Sequence, residues 1–62
     1  MPVIIVESNK IDVDKKREYV KKLTELTAET YDLPESAVTV LLKEVPPEDV
    51  GVGGKLLLDL KH

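Results

Sequence analysis

The sequence predicts an α+β protein: a single βαβ unit followed by a C-terminal hairpin, in one domain over residues 1–62. Three observations predict it. Two short apolar stretches, Val3–Val6 and Val40–Leu42, flank a segment of helical periodicity running from Val13 to about Tyr31. A glycine cluster, Gly51-Val52-Gly53-Gly54, follows a proline pair at Pro46-Pro47. The chain is also too short to bury a large core alone, because a domain of this size hides only ~60 % of the surface its unfolded form exposes.

The first strand is expected over Pro2 to Glu7. Val3-Ile4-Ile5-Val6 is a continuous β-branched run, which suits a strand covered on both faces. Proline has no backbone N–H for a sheet ladder, but it is tolerated at a first strand position. Pro2 therefore has two readings. It is an ordinary strand-opening proline, or it becomes the first residue once Met1 is removed and carries a free secondary amine. A free α-amino group titrates near ~7.7–8.0, closer to neutrality than a lysine.

Ser8-Asn9-Lys10-Ile11 is a polar connection, and Asp12 is placed to cap a helix by accepting from the free N–H groups of its first turn. Val20, Leu23, Thr27 and Tyr31, with Leu26 beside them, recur at helical spacing. Glu18 and Lys22 form an i,i+4 pair on the other face. Pro34 forces Leu33 out of helical geometry, and Pro34-Glu35-Ser36 is expected to be a tight turn. Ala37 to Val45 is the second strand, stopped by Pro46-Pro47. The glycines permit a tight hairpin. Leu56-Leu57-Leu58 is a short helix or a strand that packs on a neighbouring subunit. Two such strands joined by a helix run parallel, and a two-stranded sheet does not stand alone.

Composition excludes several classes. There is no cysteine, and the single histidine is His62 at the end of the chain, so disulfides and thiolate or histidine metal clusters are not expected. The net charge of -3 and the absence of Phe and Trp argue against a nucleic-acid partner. No apolar run approaches a membrane span, and no signal peptide is evident, so a cytoplasmic protein without membrane association is expected. Self-association is left as the source of extra burial, and a homo-oligomer is expected.

In their order and spacing, Pro2-Val3-Ile4, the helix from Val13, Asp32-Leu33-Pro34, Val38-Thr39-Val40 and Gly51-Val52-Gly53-Gly54 cover nearly the whole chain. Together they resemble the 4-oxalocrotonate tautomerase family, an amino-terminal-proline family. The resemblance implies the oligomeric β-α-β fold of that family, a homohexamer built as a trimer of dimers, and no cofactor. It implies an isomerase of aromatic-compound degradation that interconverts enol or dienol and keto forms of small 2-hydroxydienoate or 2-oxo acids such as 2-hydroxymuconate. By that resemblance Pro2 is the catalytic general base and then acid, acting on a small-molecule carboxylate substrate.

The departures concern substrate binding. Family members that handle dicarboxylates carry one arginine before the helix, a second within strand two and an aromatic residue ahead of the glycine cluster. The matching positions here are Lys10, Thr39 and Val50, and the only arginine is Arg17, one turn into the helix. Lys10 can hold a carboxylate as a point charge, less specifically than arginine. Thr39 can give one neutral hydrogen bond but no bidentate pairing. Val50 keeps an apolar wall with less bulk. Lys10, Thr39, Val50 and Arg17 are thus the candidate substrate-binding residues, and a weakened or altered dicarboxylate preference is expected. A proline-dependent hydratase, dehalogenase or decarboxylase, or a non-catalytic oligomeric scaffold, are the alternatives. Tyr19 and Tyr31 are expected to pack on the helix face. Glu35, Glu44, Glu48 and Asp49 are expected to be solvated charges, and His62 an inert terminus.

Overall fold

The computed structural model describes residues Met1–Leu60, so the reading of His62 falls outside the described residues. Strand β1 (Val3–Ser8) leads to helix α1 (Val13–Tyr31) and back to strand β2 (Thr39–Glu44). A short antiparallel pair, β3 (Gly51–Val52) and β4 (Lys55–Leu56), follows. Single 3-10 turns lie at Glu35–Ala37, Pro47–Asp49 and Leu57–Asp59. The first of these takes the place of the expected tight turn at Pro34. Strands β1 and β2 pair in parallel, from Val3 opposite Thr39 to Ser8 opposite Glu44.

Both helix ends follow from their sequence. At the start, the Asp12 carboxylate accepts from the Lys15 N–H at 2.9 Å, and the Asp12 carbonyl receives the Lys16 N–H at 3.1 Å. At the finish, Asp32 adopts the left-handed conformation (φ 55°, ψ 51°), which asparagine and aspartate tolerate better than most side chains. The Leu33 N–H then closes onto the Ala28 carbonyl at 2.9 Å, satisfying a carbonyl the helix leaves free. Pro34 stops any continuation.

The helix lies on one face of the two strands. Lys16, Val20, Leu23, Thr24, Thr27 and Ala28 form its covered stripe, and Ala28 is the one buried residue among those described. Tyr31 and Leu26, expected on this stripe, are instead exposed, at 64% and 63%. Geometry explains it. Nineteen helical residues span about 28 Å, whereas six strand residues span about 20 Å, so the helix overhangs its sheet. Two strands are also too narrow to cover the flank where Leu26 sits.

The strands show the second departure. Ile4, Val6, Val40 and Leu42 are half-buried beneath α1, but Val3, Ile5 and Leu41 on the opposite face are exposed. The expected two-sided cover is therefore absent within one protomer, because no described element of this chain reaches the outer face. The hairpin adds more open apolar surface at Val52, Leu56 and Leu58. Its turn is made by Gly53 and Gly54 at φ 59° and 86°, the paired positive angles of a two-residue hairpin loop. The C-terminal leucines divide between the two expected forms: Leu56 ends β4, and Leu57 and Leu58 open the last 3-10 turn.

The protomer's dimensions carry the same message. Its radius of gyration is 15.0 Å, against about 10.6 Å for a compact domain of this length. It exposes 5145 Å², where a folded monomer of its mass exposes about 4,000 Å².

Replacing Asp12 by alanine removes the helix cap and is expected to lower stability by about 1 kcal/mol, with Asp12→Ser close to neutral. Thermal unfolding followed by circular dichroism checks both. An Asp12→Ala midpoint equal to that of the parent contradicts the role given to the cap.

Candidate active site

Pro2 stands immediately before β1, half-buried, with its carbonyl receiving the Thr39 N–H at 3.1 Å. The sheet ladder thus reaches one residue beyond the strand and fixes Pro2 beside the start of β2. Thr39 is exposed and opens that strand. Met1, which precedes Pro2, is 95% exposed. While Met1 is attached, the Pro2 nitrogen is an amide without basic character. Once Met1 is gone, it is a secondary amine held by its own ring and by the strand.

Two other sequence-predicted positions, Val50 and the loop residue Lys10, belong to the opposite end. A cavity of about 540 Å³ opens where β1 and β2 finish. Glu7, Ser8 and Asn9 line it from the β1 side, and Val45, Pro47, Val50 and Leu57 from the other. Its volume suits a small organic molecule. Local bonding builds its walls. The Val45 N–H donates to the Ser8 carbonyl at 2.8 Å, extending the ladder past β2, and the Leu57 N–H donates to the Val50 carbonyl at 2.7 Å. The Pro46 carbonyl receives the Asp49 N–H at 2.9 Å, curling the chain so that Val50 turns back towards β1.

Lys10 is exposed and follows directly on Asn9, which lines this cavity. The fold therefore brings the loop of Lys10 together with Val50. It does not bring them to Pro2: six strand steps, about 20 Å, separate Pro2 from Ser8. Arg17 lies apart from both groups. Its guanidinium pairs with the Asp14 carboxylate at 2.8 Å in an open surface contact.

Glu44, expected to be a solvated charge, is exposed and is also paired. One of its oxygens accepts from the Ile11 backbone N–H at 3.2 Å and pairs with Lys16 Nζ at 2.9 Å, both side chains being about a third exposed. The Lys16 hydrogen bond is the main reason its carboxyl sits below the ordinary 4.5. Partial desolvation opposes this. The Ile11 N–H and the charges of Lys16 and Lys10 act with the hydrogen bond and prevail. Sequence reasoning missed Glu44 because its partners lie 28 and 33 positions away, and no local spacing announces the contact. It also missed Ser8, Asn9, Val45, Pro47 and Leu57, which meet only when the chain folds.

The profile of a family described as "Tautomerase enzyme" matches residues 2–59. The chain belongs to the tautomerase family. Among solved structures, DmpI from Archaeoglobus fulgidus is 55% identical, with 94% of this chain and 100% of that one covered and a TM-score of 0.85. A 4-oxalocrotonate tautomerase homologue is 33% identical over 100% of both chains, with a TM-score of 0.87. A heterohexameric 4-oxalocrotonate tautomerase from Chloroflexus aurantiacus is 26% identical over 98% of each chain, with a TM-score of 0.80. No curated protein matches significantly. The β-α-β unit with its C-terminal hairpin is thus the tautomerase fold. Among the described residues, no helix is long and apolar enough to cross a membrane.

Because the folded state holds Glu44 below 4.5, its carboxylate adds stability above about pH 4.5 that is lost as the pH falls through the lowered value. Glu44→Gln is therefore expected to flatten the acid limb of the stability curve while changing its shape little near neutrality. Denaturation midpoints measured across the acid range check this. An acid limb identical in the two proteins contradicts the contact.

Proposed function

We propose that this family member is a cofactor-free tautomerase that interconverts enol or dienol and keto forms of a small 2-hydroxydienoate or 2-oxo acid. Pro2, freed by removal of Met1, is its general base and acid. The observation that carries the reading is the placement of Pro2 at the fixed head of β1, in a chain whose family is one of tautomerases. The resemblance to 4-oxalocrotonate tautomerase homologues supports the same substrate class.

The neutral amine takes the proton of the substrate's 2-hydroxyl group. The electron pair left on that oxygen forms the carbonyl, and the diene electrons shift towards a distant carbon. That carbon then takes the proton back from the prolinium. Nothing is gained or lost overall, so the reaction needs no oxidant or co-substrate. Apolar surroundings and a nearby cation both favour the neutral amine at cellular pH.

Pro2 of one copy and the cavity of another make up the proposed site. The separation of about 20 Å within a protomer supports this, as does the open apolar face formed by Val3, Ile5 and Leu41. A homohexamer is the assembly we infer. In it, Lys10 meets a substrate carboxylate, Val50 supplies an apolar wall, and Thr39 anchors Pro2. The residues lining the cavity include no cation. A second carboxylate at the far end of the substrate is therefore held less firmly than an arginine would hold it.

The ultraviolet time course of 2-hydroxymuconate ketonisation tests the reading, beside an intact mass showing that Met1 is absent. Pro2→Ala is expected to reduce kcat/KM by at least ~10²-fold, the usual contribution of a general acid–base group. Turnover unchanged by that substitution overturns the assignment of Pro2.

A further inference from the structure

The Glu44 carboxylate makes the side-chain polar contacts that cross the fold. Every other side-chain hydrogen bond or ion pair among the described residues joins positions at most four apart. Glu44 reaches Ile11 and Lys16 across the interval between the end of β2 and the start of α1.

The position of this contact matters more than its number. The connection from β1 to α1 is pinned twice. At Ser8 the carbonyl receives the Val45 N–H at 2.8 Å, and at Ile11 the N–H gives to the Glu44 carboxylate at 3.2 Å. Only Asn9 and Lys10 lie between the two pins. Asn9 lines the cavity, and so do Ser8 and Val45, the two residues of the first pin. The two pins therefore bracket Asn9, which lines the cavity, and Lys10 beside it, leaving this stretch of backbone little freedom. Lys16 has a separate task. Its ammonium satisfies the same Glu44 oxygen at 2.9 Å, whereas Lys10 acts on Glu44 only through its charge.

We propose that Glu44 is a positioning residue: by clamping the Ile11 amide it holds Lys10 at the cavity edge, from which Lys10 binds a carboxylate of the substrate. The substrate's identity rests on the tautomerase reading of the protein. The clamp itself rests on the contacts of Glu44. Pre-organisation of this kind lowers the ordering cost of binding, and it acts on ligand affinity more than on proton transfer.

The test is a double-mutant cycle between Glu44 and Lys10, read in kcat and KM on 2-hydroxymuconate. In parallel, calorimetric binding of 2,4-hexadienedioate, which lacks the hydroxyl and cannot ketonise, reads affinity without turnover. Glu44→Ala is expected to raise KM and Kd by about tenfold, the scale of one lost charge-assisted contact, with kcat within about twofold. Lys10→Ala is expected to do the same, and the double variant to be no worse than Lys10→Ala alone. Glu44→Gln, which keeps an acceptor for the Ile11 amide, recovers most of the loss. Amide hydrogen exchange at Ile11, faster in Glu44→Ala, confirms that the clamp and not the whole fold has been released.

Additive effects in the double variant overturn the inference. So does a fall in kcat without a change in KM, or a parent protein that binds no dicarboxylate. If binding follows the cycle but Pro2→Ala leaves turnover intact, the tautomerase reading fails and the positioning role stands. If turnover depends on Pro2 but Glu44→Ala changes neither KM nor Kd, the positioning role alone fails.

Discussion

The parallel pairing of β1 with β2 is the interaction on which the rest of the structure depends. Its register sets Val3 against Thr39 and Ser8 against Glu44. One end of the ladder consequently holds Pro2, and the other holds the loop of Lys10 and the wall of the cavity. The same pairing fixes which apolar residues meet α1 and which are left open. A sheet of two strands and one helix supplies a single covered face, so Val3, Ile5 and Leu41 face outward. The place of Pro2, the cavity and the open apolar face are three consequences of one six-residue ladder.

The open face is a matter of area. The chain exposes more surface than a monomer of its mass does, and it is more extended than a compact domain. No disulfide compensates, since the chain has no cysteine. In the homohexamer we propose, burial of the outer face against a second copy supplies the missing hydrophobic stabilisation. It also offers a route by which Pro2 approaches a cavity that its own protomer keeps a strand length away.

Much of this was legible in the sequence. The helix ends were written in Asp12 and in Leu33-Pro34, whose effects are local and need no tertiary partner. The hairpin was legible for the same reason, because two adjacent glycines supply the paired positive φ angles at Gly53 and Gly54. The position of Pro2 was legible as a strand opening. Its meaning came from the family pattern and not from any spacing of charges. The depth of burial was not legible. Continuous apolar runs implied strands covered on both sides, and that holds only if other copies are counted. The stripe from Val20 to Tyr31 had the right period, but period alone does not say how far a narrow sheet reaches beneath a helix. Glu44 was invisible for a different reason. A long-range contact between one carboxylate and a backbone amide leaves no periodic trace, and a lone glutamate at the end of a strand looks like any other solvated charge.

The proposed function places the catalytic base and the cavity on different copies. Subunit complementation tests it most directly. One protein carries Pro2→Ala, with its cavity intact. The other carries Val50→Trp, which fills the cavity and leaves Pro2 intact. Each is predicted to be inactive alone. After unfolding and refolding together in equal amounts, random mixing is predicted to restore roughly a quarter of the parent activity, because sites then form from an intact Pro2 of one copy and an intact cavity of another. Assemblies shown by mass to contain both chains, yet still inactive, would contradict the shared site.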